Sequence, residues 1–112
     1  MFARTVTVRL KANAAADFNR TLENEIIPIL RKQRGFQNEL TLVTPDGAEA
    51  IGISLWDNKQ SAEAYQKEAY PEVQKLLSKS IEGTPQVKTY EVPFTTLAKL
   101  ARSGSCLLGG ET

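Results

Sequence analysis

The sequence predicts an α+β domain in the order β-α-β-β-α-β, one four-stranded antiparallel sheet with both helices on a single face. Three observations predict it. Apolar residues alternate with polar ones at 3–10, 36–44, 48–56 and 86–94, the period of half-buried strands. At 14–33, and again between Asp57 and Gly83, they recur at the spacing of an amphipathic helix. The short stretch Thr44-Pro45-Asp46-Gly47 joins the second strand to the third, so those two form a hairpin.

In the first strand Val6, Val8 and Leu10 share one face, and Thr5, Thr7 and Arg9 the other. Asn13 is placed to cap the first helix, whose stripe is Phe18, Leu22, Ile26, Ile29 and Leu30. Pro28 removes a backbone hydrogen bond to residue 24, and is expected to kink that helix or split off its last turn. Gly35 supplies a left-handed stop.

In the second strand Leu40 and Leu42 oppose Thr41 and Val43. In the third, Ile51, Ile53 and Leu55 oppose Ala50, Gly52, Ser54 and Trp56. Small residues beside one large aromatic describe a hollow with a ring for a wall. Asp57 is read as the cap of the next helix, with Gln60 completing a capping box. Tyr70-Pro71 interrupts it, because a residue before proline avoids the helical region. Pro71 then opens a fresh helix carrying Val73, Leu76, Leu77 and Ile81, which Gly83 ends. The last strand sets Val87 against Tyr90, Val92 and Phe94.

This is the split βαβ, or ferredoxin-like, arrangement. Its first and third strands are neighbours, so the rows Val6, Val8, Leu10 and Ile51, Ile53, Leu55 are expected on one face. Whichever face the helices cover, apolar surface is left on the other. A second copy packed sheet to sheet would cover it, so a homodimer is expected.

A length of 112 residues, 41% hydrophobic and 24% charged, fits one soluble domain, placed at 1–95. Residues 96–112 are read as a short helix (Leu97, Ala98, Leu100, Ala101) and a flexible Gly/Ser tail. A net charge of +1 argues against nucleic acid or an anionic membrane as partner. The chain has no histidine, which removes every His-dependent triad, His-ligated metal and axial His for haem. Its one cysteine, Cys106, has no base beside it and makes neither disulfide nor metal site. No cofactor is therefore expected: no metal, haem or flavin. With no signal-type apolar block at the start, the expected compartment is the cytoplasm.

Three stretches carry a family resemblance: Ile29-Leu30-Arg31-Lys32-Gln33-Arg34-Gly35-Phe36; Ile51-Gly52-Ile53-Ser54-Leu55-Trp56-Asp57 with Ser61-Ala62-Glu63-Ala64-Tyr65; and Gly83 to Val92. Together they span about residues 3–93 and resemble the antibiotic biosynthesis monooxygenase (ABM) domain group of the dimeric α+β barrel superfamily. The resemblance implies a cleft between sheet and helices in each protomer. In the group's best-understood enzymes an aromatic substrate is oxidised there by O₂ without metal or flavin. It carries one residue over, Trp56 at the end of the third strand. The antibiotic-tailoring enzymes carry an Asn four residues before that Trp, where this chain has Gly52. The His ligand of the haem-degrading branch has no counterpart.

Trp56 has two readings, a stacking wall for a flat ligand or a core aromatic anchoring strand to helix. Gly52, Ser54 and Tyr65 are expected to line one cavity with it, because alternation and the start of the helix bring them together. Tyr65, Tyr70 and Tyr90 could each lend a phenol, Tyr65 first; the ordinary role is half-buried packing. Arg4 and Arg9 lie on opposite faces of the first strand and are read as solvated charges, although either could hold a carboxylate or phenolate. Arg31, Lys32 and Arg34 meet a helix C-terminus, where cations are favoured. Glu23, Glu25, Glu63 and Glu68 sit on solvated helix faces.

An RNA-recognition domain would need aromatics on the central strands, and an acylphosphatase a glycine-rich phosphate loop; neither pattern is present. Three functions stay open. The chain binds a small apolar or aromatic molecule, or it is a cofactor-independent monooxygenase of a phenol or quinol, or it is a structural or regulatory dimer with a filled cleft. A cleft below roughly 300 Å³ favours the last.

Overall fold

A computed structural model describes residues 1–97 of the chain. The elements run β1 (Phe2–Leu10), α1 (Ala15–Thr21), a π-helical turn (Leu22–Ile26), α2 (Ile27–Arg31), β2 (Phe36–Val43), β3 (Glu49–Trp56), α3 (Lys59–Glu68), α4 (Tyr70–Leu77) and β4 (Ile81–Glu91). The sheet order is β2-β3-β1-β4, antiparallel throughout, as the ferredoxin-like reading requires. The expected helix and tail lie mostly outside the described residues, as does Cys106; Val92 to Leu97 are neither helix nor strand.

The first helical stretch is split where Pro28 predicts. Ile27 N–H reaches back to the Leu22 carbonyl, and α2 then starts with Pro28 in its first turn, where a missing donor is harmless. Asn13 does not cap: it takes a left-handed φ of 61°, and Ala14 stands at the cap without a side-chain bond. Asn58, not Asp57, caps α3, its side chain accepting from Ser61 N at 2.8 Å. Gly83 does not end a helix. Leu77 does, Ile81 already belongs to β4, and Gly83 (φ 71°) lies where β4 shifts register against β1. The hairpin forms as expected, with Gly47 N bonded to the Thr44 carbonyl at 2.8 Å and Asp46 accepting from Thr44 Oγ1 and Ala48 N.

Register decides which residues the helices cover. Val6 pairs with Gly52 and Val8 with Ala50, so Val6, Val8 and Leu10 share a face with Ala50, Gly52, Ser54 and Trp56. The expected common face with Ile51, Ile53 and Leu55 is therefore wrong by one residue. Those three stand opposite Thr7, Thr5 and Ala3, on the far side of the sheet. The helices choose the face with the small residues because only there is room for Phe18, Ile26, Leu30, Tyr65, Tyr70, Val73 and Leu77, all buried. On the far face Leu40, Leu42, Ile51 and Tyr90 are 36–54% exposed.

Candidate functional site

Cross-strand pairing lays the covered face out in rows, each contributed by β2, β3 and β1. Phe36, Trp56 and Phe2 form an aromatic row; Glu39, Ser54 and Arg4 a polar one. Next come Thr41, Gly52 and Val6, then Val43, Ala50 and Val8. A charged row thus lies between an aromatic row and a nearly apolar one, beneath two helices. Arg4 is 2% exposed, which overturns its reading as a solvated charge.

Arg4 is held by what covers it. Its Nε donates to Gln66 Oε1 at 3.1 Å, Nη2 donates to the same oxygen, and the guanidinium carbon lies 4.1 Å from the Tyr70 ring centroid and 5.1 Å from that of Tyr65. No carboxylate pairs with it within salt-bridge distance among the described residues. Burial lowers its pKa, and the two phenols and Glu39 oppose that.

Across the row, Glu39 Oε2 accepts from Thr41 Oγ1 at 2.9 Å. A Cβ on Gly52 would stand 3.2 Å from that oxygen, so the glycine leaves the space the carboxyl uses. Burial pushes Glu39 up to about 7, against the pull of Thr41 and Arg4. Tyr65 is pushed well above the usual phenol range by burial, and Tyr70 is raised for the same reason, with Arg4 opposing both. The Tyr70 hydroxyl is buried, with no partner in good hydrogen-bond geometry among the described residues, and the Arg4 guanidinium is its polar neighbour.

Between sheet and helices these groups enclose a cavity of about 50 Å³. Its polar end is Arg4, Glu39, Thr41, Ser54, Tyr65 and Tyr70; its apolar wall comes from β1, α1, the π-turn, α2 and α4. Leu22 and Glu39 also line a surface groove of about 410 Å³ between the π-turn and β2, so these two residues stand where the cavity meets the surface.

Of the residues expected at the site, Gly52, Ser54 and Tyr65 line the cavity together. Trp56 does not. It is fully buried behind it, edge-on to Phe36 at 5.6 Å and 5.1 Å from Tyr65, its Nε1 donating to Ser54 Oγ at 2.9 Å. Tyr70 joins the cavity and Tyr90 lies on the other face. Arg4, Glu39 and Thr41 were legible only as phase: each is polar but in step with its strand's covered row.

No family model and no curated protein sequence matches the chain. Solved structures do. A Streptomyces coelicolor monooxygenase in complex with nanaomycin D superposes with a TM-score of 0.72 at 16% identity, covering 88% of this chain and 92% of its own. A cofactor-independent oxygenase from Streptomyces nogalater gives 0.70 at 14%, covering 85% and 95%. A candidate antibiotic biosynthesis monooxygenase from Nitrosomonas europaea gives 0.70 at 14%, covering 84% and 100%. The chain has the ABM-like fold. Within this ABM-like fold the space between sheet and helices carries, in this chain, a buried arginine, a carboxyl and two phenols. No helix of the described residues is long and apolar enough to cross a membrane.

Proposed function

We propose that this ABM-like chain binds a small, largely apolar or aromatic molecule between sheet and helices, and works as a homodimer. The observation that carries the binding reading is the chemistry of the cavity's polar end. A cleft closed only for stability is better filled by apolar side chains, since each buried charge or unpaired hydroxyl costs free energy. Here Arg4, Glu39 and the buried Tyr70 hydroxyl converge on one space. The nanaomycin D complex of the Streptomyces coelicolor protein supports a small-molecule ligand on this scaffold. Trp56 backs Tyr65 from behind and acts on a ligand through it.

One observation favours a second reading, the structural dimer with a filled cleft. At about 50 Å³ the cavity is well below the roughly 150 Å³ that admits benzene. A ring therefore enters only if the lining moves, and the π-turn beside Leu22 and Glu39 is where cavity and groove meet. An NMR titration with simple phenols separates the two. Binding predicts saturable shifts at Tyr65, Tyr70 and Gly52, weakened at least tenfold (about 1.4 kcal/mol) by Arg4→Met; a filled cleft predicts none. Oxygen uptake over a panel of dihydroxyaromatics then asks whether the bound molecule is oxidised, the monooxygenase reading.

The dimer reading rests on the open face. Among the described residues Leu40, Leu42, Ile51 and Tyr90 stand exposed on it with no helix over them. Hiding about 800 Å² of such surface per protomer is worth on the order of 10–20 kcal/mol before association entropy is subtracted. Light scattering at micromolar concentration should give twice the chain mass of 12.4 kDa. A mass of one chain overturns the dimer.

A further inference from the structure

We propose that Glu39 sets the specificity of the cavity: with Arg4 it admits a neutral hydroxyl group and rejects a carboxylate. This rests on the binding reading above and goes further, to the chemical class of the ligand's polar end.

Arg4 alone would call for an anion, since a guanidinium offers only donors. In this chain an acceptor stands in the same row of the sheet. Ser54 pairs with Arg4 on one side and with Glu39 on the other, and all three line the cavity. The carboxyl is also fixed there. Thr41 holds Oε2 at 2.9 Å, and a side chain at position 52 would crowd the same oxygen at 3.2 Å. Glu39 further lines the surface groove, so it faces whatever enters.

A ligand oxygen reaching this end must serve two unlike partners. A hydroxyl does so, donating its proton to the Glu39 carboxylate while a lone pair accepts from Arg4. A carboxylate satisfies Arg4 but sets a second negative charge against Glu39 in a half-buried space, where charges are screened less than in open water. The Tyr65 and Tyr70 hydroxyls tolerate either ligand, being neutral donor-acceptors.

The charge on Glu39 makes the selection adjustable. Its carboxyl is shared between its two forms at about 7, so rejection of anions should strengthen above that pH and relax below it. The other charged or titratable groups facing this space are Arg4 from β1, Tyr65 from α3 and Tyr70 from α4, with Glu23 and Arg31 along the groove. Burial moves both phenols further above the neutral range, so Glu39 is the group that changes charge there.

The test compares phenol with benzoate by NMR titration, one neutral and the other anionic at both about pH 6 and about pH 8. Wild type at the higher pH should bind benzoate at least tenfold more weakly than phenol, the gap narrowing at the lower pH. Glu39→Gln keeps the shape and the contact with Thr41 but not the charge. It should remove or reverse the preference and abolish its pH dependence, and Glu39→Ala should act in the same direction. If both ligands bind and the variants leave their ratio unchanged, the role of Glu39 is overturned and the cavity reading stands. If wild type binds neither, the cavity reading falls, and the specificity proposal with it.

Discussion

Trp56→Ala should lower folding stability by about 4 kcal/mol, a large part of what a small domain has. Among the described residues the indole is the one large side chain with no exposure at all. It joins three structures: Phe36 at the start of β2, Tyr65 on α3, and Ser54 on its own strand through the Nε1 bond. Removing it opens a void bounded by sheet and helix, and neither can collapse without breaking strand pairing. Trp56→Phe keeps most of the ring and loses the indole N–H, so it should cost only about 1–2 kcal/mol. Thermal or urea unfolding of both variants checks the order. A Trp56→Ala protein as stable as wild type would overturn the anchoring role. The anchoring role expected here places the residue that carried the family resemblance in the support of the site and out of its lining.

Element order and the hairpin were legible because they rest on local signals: period two, helical stripes, and a Pro-Asp-Gly turn. Pro28 was legible for the same reason. Which row of each strand is covered was not. Val6, Val8, Leu10 and Ile51, Ile53, Leu55 are equally apolar rows, and alternation says only that each strand has two faces. The strand with the heavier apolar row, β3, turns that row outward, because its other row (Ala50, Gly52, Ser54) leaves space for helix side chains. The same ambiguity hid the polar end of the cavity. A charge in a strand is usually solvated, and nothing local marks Arg4 or Glu39 as exceptions. Their phase does: Arg4 is in step with Val6, Val8 and Leu10, and Glu39 with Thr41 and Val43.

Gly35→Ala should cost about 3 kcal/mol, and for two separable reasons. Gly35 has φ +82°, which an L side chain adopts only at roughly 1–2 kcal/mol. A Cβ there would also fall 2.3 Å from both Asp57 Oδ1 and Ser61 Oγ and 2.6 Å from Ser61 Cβ. That close approach is built into the site. The Gly35 carbonyl accepts from Asp57 N at 2.9 Å, bringing the α2–β2 connection onto the start of α3, and Phe36 follows directly to pack against Trp56. To admit a methyl, α3 must withdraw from the connection, and it carries Tyr65 and Gln66 with it, the residues that cover Arg4. Gly83 supplies the control, with φ +71° and nothing within 4 Å of a built Cβ. Gly83→Ala should show the backbone cost alone, about 1 kcal/mol, so the difference between the two variants reads the crowding at position 35. Denaturant unfolding of the pair measures that difference. Equal losses would show that Asp57 and Ser61 move aside freely, and that α3 is not pinned to the connection at this point.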